Sequence, residues 1–432
     1  MFIDLNVPEQ SSREHLDDFI QSLSGDNTPK NISSDSAREL LLDTRSYGSR
    51  HKDLSHFSDD ELLIHWFENG HCEKSRRFQP NLLCLKSPKP AQEGSVTYLS
   101  SATRLSDGTY LYRTKYASMR DSRESSFYTT QSPIDELLRG IFMAREIVFS
   151  RPDNADPLAS YLIVLAKALG VKITLDFDDL VLPEFFHETG LGRTNFSVQL
   201  NNTNEMVLGY RSSFLSYADQ VCCSTEYIQK ALLHLSFPSI LRYNKLPSTY
   251  ASQYESVKQR IAGINDRKVN ILYMSGTATH AKDFEICHGP LVKLAQNYSD
   301  KFNLILLGQV QLGICSMIEH LGVYVNHVER LSYNEIHDFI AQQDVCLVPL
   351  ENTYFNNSKS NIKFIESGIH GVPVIASPAD QFKRTISHSV NGWLCGDPSE
   401  WYDQLVSLLE SKNQLISVSL MAYKTSLSGY TF

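Results

Sequence analysis

Several features that would place this chain in a simple class are missing from its sequence. None of the eight cysteines forms a C-x-x-C pair, which excludes zinc-ribbon spacing, and most lie in apolar runs as small hydrophobic residues would. No apolar run is long enough for a membrane span, and the N-terminus MFIDLNVPEQ lacks the basic and apolar regions of a signal peptide. We therefore expect a cytoplasmic protein, an interpretation that leaves peripheral membrane contact open.

An excess of positive charge is also absent. The chain has 40 Lys and Arg residues against 49 Asp and Glu residues, a net charge of -9. Because an acidic protein repels the phosphate backbone, we expect no nucleic-acid partner. The 42% of hydrophobic residues can fill real cores, and 432 residues suit two α/β domains plus an extension.

Residues 1–90 differ in composition from the rest, being rich in Ser, Asp, Asn and charged side chains. Leu62, Leu63, Trp66 and Phe67 recur at helical spacing, so this part is predicted to be an N-terminal extension, helical or partly disordered. The proline-containing stretch at its end predicts a linker.

After this extension, predicted strands alternate with predicted helices. REIVFSRP, DPLASYLIVLAKALG and VKITLDFDDL form a strand, a helix and a strand, which predicts a parallel sheet within residues 91–247. Five further alternations predict a second doubly wound domain over residues 248–400, with a C-terminal helix in 401–432 that can pack back on the first domain. We expect an α/β architecture of two Rossmann-like domains facing a cleft, with ligands beyond the carboxyl ends of the strands.

The strongest local signal is SKSNIKFIESGIHGVPVIAS, residues 358–377. It predicts a loop, a short helix, a glycine turn and a buried strand. Lys359 and Lys363 precede Glu366, and two ammonium groups at a helix start favour an anion. A nearby carboxylate can accept hydrogen bonds from a pair of ribose hydroxyls. Phosphate and ribose together predict a nucleotide.

The run ESGIHGVPVIAS resembles the donor-site signature E-x-x-x-x-G-x-P-V-I-A-S of retaining GT-B glycosyltransferases, the group 1 or family 4-like enzymes. The pattern K-S-x-x-K-x-x-E resembles that of a subgroup of these enzymes associated with bacterial surface polysaccharides. The resemblance implies that Glu366 binds the donor ribose and that Lys359, Ser360 and Lys363 lie at the donor. Many members carry a second Glu near the transferred sugar, and Ser358 occupies that position here.

A second motif, YMSGTATHAKDF, is similar to the family pattern G-R-x-x-x-x-K-G. Gly276 and Lys282 match in spacing, whereas Thr277 stands at the arginine position. The resemblance implies that Lys282 binds the donor diphosphate and stabilises its departure, an electrostatic role that a preorganised cation fulfils. Lys363 or Lys359 is our candidate for the missing second cation.

An aspartate-rich segment, TLDFDDLV, closes a predicted strand of the first domain with Asp176, Asp178 and Asp179. Such a D-x-D triplet holds Mg²⁺ or Mn²⁺ in the other main glycosyltransferase fold. The nucleotide signature here lies in the other domain, so we interpret Asp178 and Asp179 as acceptor or sugar contacts, with Asp178 a catalytic candidate, and expect no metal ligands. A capped turn after a strand is an equal alternative.

Two further signals are weaker. Arg104, Tyr112, Arg113 and Tyr116 cluster in RLSDGTYLYRTKY, and Arg and Tyr suit a sugar or the phosphate of a lipid-linked acceptor. The same segment fits a solvated hairpin turning at its Asp-Gly pair, which is the favoured interpretation. His280, beside the second motif, is equally a donor or acceptor contact and a structural residue.

The resemblance implies transfer of a sugar from a UDP-, GDP- or dTDP-sugar to a hydroxyl of a glycan, lipid-linked or protein-linked saccharide. It further implies retention of configuration and no obligatory metal cofactor. Two alternatives remain: a nucleotide-sugar-binding partner subunit without transferase activity, and a GT-B epimerase. Thr277 and Ser358, in place of charged residues of the family, keep the first alternative open.

Overall fold

The computed structural model describes residues 10–23, 33–73, 76–81, 94–101, 108–152, 156–182, 184–185, 214–275, 281–310 and 313–432. The strands are β1 (Ser95–Ser100), β2 (Ser125–Thr129), β3 (Ala144–Ser150), β4 (Lys172–Phe177), β5 (Gln220–Cys223), β6 (Ser239–Leu241), β7 (Val269–Ser275), β8 (Phe302–Gly308), β9 (Tyr324–Val328), β10 (Val345–Val348), β11 (Val374–Ala376) and β12 (Trp393–Leu394). They form two six-stranded sheets, ordered β2-β1-β3-β4-β5-β6 and β12-β11-β10-β7-β8-β9. Every pairing in both sheets is parallel.

Helices cover the faces of both sheets. The α-helices are Gln10–Ser22, Ser34–Leu41, Thr44–Arg50, Asp59–His65, Tyr116–Met119, Ile134–Met143, Pro157–Ala168, Glu226–His234, Tyr254–Ala262, Ala281–Glu285, His288–Tyr298, Gly313–His320, Tyr333–Ile340, Tyr354–Ser358, Ile362–Gly368, Asp380–Thr385, Pro398–Glu410 and Lys412–Tyr430. The two Rossmann-like domains that the sequence predicts are therefore present, the first built on β1–β6 and the second on β7–β12. None of the helices in the described ranges combines the length and the apolar composition needed to cross a bilayer.

The local sequence explains the strand–helix–strand unit of the first domain. The helix Pro157–Ala168 begins where the Asp156 side chain accepts a hydrogen bond from the backbone N–H of Leu158, and proline occupies its first turn. Gly170 follows the helix with a φ of 66°, which reverses the chain into β4. The connection joins β3 to its parallel neighbour β4, as the sequence predicts.

The glycine turn of the second domain also forms as predicted. Gly371, between the helix Ile362–Gly368 and β11, has a φ of 67°. A Cβ atom there would lie 2.5 Å from Cγ1 of Val257, so this turn requires glycine both for its backbone conformation and for space.

The N-terminal helices share the apolar core of the first domain. The Trp66 ring lies 5.0 Å from the ring of Tyr161, and Phe78 lies 5.5 Å from the same ring. The Tyr161 hydroxyl donates to the backbone oxygen of Leu41 at 2.7 Å. The four residues at helical spacing in the extension are buried, so its helical part is a structural layer of the first domain. Of the predicted linker QPNLLCLKSPKPAQEGS, residues 79–95, the part over 82–93 lies outside the described residues.

The C-terminal residues connect the two domains. Trp401 is buried in the core of the second domain, and the helix Lys412–Tyr430 packs on the helices Tyr254–Ala262 and Ile362–Gly368. Just beyond the end of this helix, the Phe432 ring lies 6.4 Å from the ring of Tyr116 in the first domain.

The predicted hairpin is wrong. Residues Tyr110–Lys115 form a π-helical segment that continues into the helix Tyr116–Met119. Tyr110, Tyr112 and Tyr116 join an apolar cluster of the second domain, while Arg113 is fully buried. The aromatic side chains gain more from burial between the domains than a solvated turn would allow, and a buried aspartate neutralises the arginine.

Candidate functional site

A cavity of about 310 Å³ lies between the two domains, at the carboxyl ends of their strands. Its lining residues are Gly108, Thr109, Arg151, Asp178 and Asp179 from the first domain and Tyr273, Met274, Asp283, Leu347, Val348, Pro349, Leu350, Lys359, Ser360, Ile362, Lys363 and Phe382 from the second. This is where parallel α/β sheets bind ligands.

The wall from the second domain carries the predicted cations. Lys359, Ser360 and Lys363 all line the cavity. The Lys359 ammonium lies 4.6 Å from the centre of the Phe355 ring, and Lys363 Nζ lies 3.8 Å from Oε2 of Glu366. The structure thus brings two lysines and a hydroxyl of the first motif together around one hollow.

Glu366 lies behind this wall and contacts the first domain. The Tyr112 hydroxyl, 254 residues away in sequence, donates to Oε1 of Glu366 at 3.0 Å. Tyr333 lies 3.2 Å from the same hydroxyl and donates to it, since Tyr112 has a single hydrogen. Burial raises the pKa of Tyr112 well above its ordinary value, which keeps its hydroxyl protonated. Glu366 is only 7% exposed, and its Oε1 accepts a hydrogen bond from a tyrosine of the first domain.

Ser358 is not at the cavity, although the resemblance places it at the transferred sugar. Its side chain is fully buried, and its hydroxyl donates to Phe355 O at 2.7 Å and accepts from the backbone N–H of Leu180 at 3.2 Å. The Thr225 hydroxyl donates to the Ser358 carbonyl at 3.0 Å. In this structure Ser358 therefore anchors the first motif to the first domain.

The wall from the first domain carries Asp178 and Asp179. Oδ2 of Asp178 accepts from the Thr109 hydroxyl at 2.7 Å. Its Oδ1 is buried without a hydrogen-bond partner among the described residues, 3.6 Å from Nη1 of Arg151. Nη1 of Arg151 also donates to Asp179 at 3.2 Å. Burial raises the pKa of Asp178, and the Arg151 guanidinium opposes that rise.

Asp176, the first aspartate of the triplet, has a structural role. It lies in β4, and its Oδ1 accepts from Nη2 of Arg113 at 2.6 Å, with both side chains fully buried. Nη1 of Arg113 donates to Oδ1 of Asn244 at 2.9 Å, and Asn244 donates to the Ser360 hydroxyl at 3.0 Å. A chain of hydrogen bonds therefore runs from the first sheet to Ser360 of the first motif. No group of three or more His, Cys, Asp or Glu side chains in the described part of the chain could hold a metal ion.

The second motif is described only in part. Gly276, Thr277 and His280, together with Arg104 of the acceptor prediction, lie outside the described residues. Lys282 lies in the short helix Ala281–Glu285 and does not line the cavity.

Beside Lys282, Asp283 is buried and lines the cavity. Its Oδ1 accepts from Glu351 N at 2.9 Å and from Nδ2 of Asn356 at 2.8 Å. Burial raises the pKa of Glu351, and the Lys282 ammonium opposes that rise, so this cation lies within electrostatic range of the cavity rim.

Thr109 and Arg151 were missed by sequence reasoning. Thr109 gives no signal, because its partner Asp178 is 69 residues away. Arg151 does give one: it lies at the end of the predicted strand REIVFSRP, at the edge where ligands bind in such folds.

Comparison with known proteins adds to this geometry. The family model described as Glycosyl transferases group 1 matches residues 268–411, about a third of the chain. Among solved structures, Anabaena HepE in complex with UDP and glucose is similar with a TM-score of 0.55 and 13% identity over 78% of this chain and 96% of that one. Sucrose-phosphate synthase from Thermosynechococcus elongatus has a TM-score of 0.55 and 13% identity over 78% and 95%. A glycosyltransferase from Rickettsia africae is similar with a TM-score of 0.51 and 12% identity over 79% of this chain and 95% of that one.

A search of curated protein sequences finds no significant match. At these identities the structural likeness establishes the fold, and the chain therefore has the GT-B architecture.

Proposed function

We propose that this chain is a glycosyltransferase that takes a sugar from a nucleoside-diphosphate sugar and transfers it to an acceptor hydroxyl with retention of configuration. The observation that carries the proposal is the cavity between the domains. It has two lysines on the wall of the second domain and two aspartates on the wall of the first. Cations opposite carboxylates suit a diphosphate on one side and hydroxyl groups on the other.

The second domain supplies the donor half. Its match to a glycosyltransferase family model covers both motifs that we assign to the donor. Lys359 and Lys363 bind the diphosphate, Lys282 approaches it from the rim, and Glu366 binds the ribose. Because HepE is solved with UDP and glucose, a UDP-sugar is the first donor to test.

The first domain supplies the acceptor half. The orphan Oδ1 of Asp178 is a buried acceptor that needs a donor, and a non-reacting hydroxyl of the acceptor saccharide provides one. A neutral or lipid-linked saccharide, as in surface-polysaccharide assembly, is the acceptor class that we propose.

In the proposed reaction, the bond from the anomeric carbon to the diphosphate oxygen breaks, and a bond to the acceptor oxygen forms on the same face. The acceptor proton passes to the leaving diphosphate. Lys363 and Lys359 stabilise the charge that develops on that group, and closure of the domains excludes water that would hydrolyse the donor.

A thermal-shift screen against UDP-, GDP-, CMP- and dTDP-sugars tests the donor half. Bound nucleotide raises the Tm through linkage. We expect a shift for the parent and for the surface control Glu255→Gln, and little or none for Glu366→Gln. Equal shifts for both variants would remove Glu366 from the donor site. No shift with any donor would refute the proposed function.

A partner subunit without transferase activity is the second candidate. Ser358 favours it, because the position where the family often has a carboxylate is here a buried contact between domains. Release of nucleoside diphosphate from the bound donor distinguishes the two. Turnover that Lys363→Ala abolishes supports a transferase, whereas binding without turnover supports the subunit.

A further inference from the structure

Arg151 has an unusual backbone conformation for its residue type. It follows β3 with a φ of 44°, in the left-handed region that residues other than glycine rarely adopt. Its backbone N–H donates to Asp176 O at 3.0 Å, which continues the pairing of β3 with β4 past the end of the strand. Strain of this kind persists where surrounding contacts enforce it, and it concentrates at functional sites.

The strained backbone delivers the guanidinium to the cavity. Nη1 of Arg151 contacts three groups on two other segments: the Thr109 hydroxyl at 3.1 Å, Asp179 Oδ2 at 3.2 Å and Asp178 Oδ1 at 3.6 Å. The Ser224 hydroxyl donates to the Asp178 carbonyl at 2.9 Å and fixes the backbone between the aspartates. One cation is thus shared by two adjacent carboxylates at the wall of the cavity.

Two neighbouring carboxylates repel each other, and a shared cation lets both stay ionised. The charged groups around Asp178 are Arg151 after β3, Asp179 beside it, Arg113 from the π-helical segment, and Lys359 and Lys363 on the opposite wall. Of those in the first domain, Arg151 alone contacts both aspartates that line the cavity.

We propose that Arg151 is a positioning residue for the acceptor: it holds Asp178 and Asp179 ionised and oriented so that Asp178 Oδ1 accepts a hydrogen bond from a non-reacting hydroxyl of the acceptor. This inference rests on the proposed function, because it concerns the acceptor half of the same site. The proposed role also explains the strained backbone at Arg151, because a residue with a negative φ at this position would direct its side chain away from the two aspartates.

The kinetic test compares Arg151→Ala and Arg151→Lys with the parent. For Arg151→Ala we expect the acceptor KM to rise about tenfold and the acidic limb of the pH–rate profile to move up by about one pH unit, because the pKa of the aspartate pair rises. The lysine variant keeps a cation and recovers part of both effects. The thermal shift with UDP-sugar stays at the parent value. An unchanged acceptor KM and pH profile in Arg151→Ala would overturn the inference while leaving the proposed function intact.

A second measurement does not depend on activity. Burial already raises the pKa of Asp178 in the fold, so its ionised form costs stability above that pKa and the cost vanishes on acidification. Loss of the cation raises this pKa further. The Tm deficit of Arg151→Ala should therefore be largest near pH 8 and shrink toward pH 5, whereas a deficit independent of pH would contradict the inference.

Glycine variants test the strain. Arg151→Gly should have a higher Tm than Arg151→Ala, because glycine adopts positive φ freely, and it should share the acceptor defect of the alanine variant. Ser236 is the matched control, with a φ of 66° at an exposed helix end outside the cavity. Ser236→Gly should likewise exceed Ser236→Ala in Tm, with parent activity in both. Full activity of Arg151→Gly would refute a role for the guanidinium.

Discussion

The two walls of the cavity differ in how the chain builds them. On the wall of the second domain, the polar groups that we assign to a ligand belong to one continuous motif, with Lys359, Ser360 and Lys363 within five residues, although other segments of the domain also line this wall. The wall of the first domain comes from three separate segments that contribute Thr109, Arg151 and Asp178. A continuous motif leaves a signature in the sequence, whereas a site assembled from distant segments is recognised only once the sheet has brought them together.

The two domains are held together behind the cavity by two different kinds of contact. In the first domain, Arg113 forms a buried ion pair with Asp176 and also donates to Asn244, which in turn donates to Ser360 of the second domain. In the second domain, Glu366 accepts a hydrogen bond from Tyr112 of the first domain. The position of the first motif thus depends on contacts that the sequence did not reveal. Three of the four substitutions below test that dependence, and Trp66→Ala tests the N-terminal helices.

Arg113→Met should have the largest effect. It leaves Asp176 buried without its cation, and breaking a buried pair costs about 4 kcal/mol. Urea denaturation of the parent and the variant measures the loss. The double variant Arg113→Met with Asp176→Leu replaces the pair by apolar groups and should recover much of it. Equal losses in the two would show that the charge pairing is unimportant.

Trp66→Ala tests whether the N-terminal helices belong to the first domain. Truncation of this buried ring, which packs on Tyr161, should cost about 3 kcal/mol of unfolding free energy. The loss should appear in the transition of the first domain, monitored by denaturant unfolding. An unchanged transition would mean that the helices form an independent appendage.

Ser358→Ala tests the anchor between the domains. The backbone N–H of Leu180 would lose its acceptor in a buried position, at a cost of about 2 kcal/mol. Donor affinity should change little, because Ser358 does not line the cavity. Titration calorimetry with the nucleotide checks this, and a large loss of affinity with intact stability would return Ser358 to the donor site.

Tyr112→Phe should have the smallest effect on stability and a revealing one on binding. Loss of one hydrogen bond costs about 1 kcal/mol. If Glu366 binds the donor ribose as we propose, Tyr112 competes with the ribose for Oε1, and the variant should bind the donor nucleotide about fivefold more tightly. Tyr243→Phe, whose hydroxyl donates to Glu226 at the surface, is the control. Weaker donor binding by Tyr112→Phe would show that the hydroxyl orients Glu366 instead of competing for it.

Local pattern was enough to predict much of the second domain and part of the first. The βαβ unit, the glycine turn at Gly371 and the grouping of Lys359 with Lys363 depend on residues close in sequence. The edge strand β2 was missed because it is short and half-exposed, so its apolar signal is weak. The hairpin was wrong because a segment buried between two domains carries the same aromatic and charged residues as a solvated turn.

The sequence by itself determined the two parallel sheets and the helix, glycine turn and strand of the segment 358–377, because hydrophobic periodicity, helix caps and glycine turns act over a few residues. The tertiary structure alone decided that Tyr112 donates a hydrogen bond to Glu366 and that Ser358 contacts the first domain instead of lining the cavity. It also decided that Arg151 contacts both Asp178 and Asp179. Each of these contacts joins residues on different segments, up to 254 positions apart. The free energy that selects such partners comes from burial between packed elements, which no local pattern encodes.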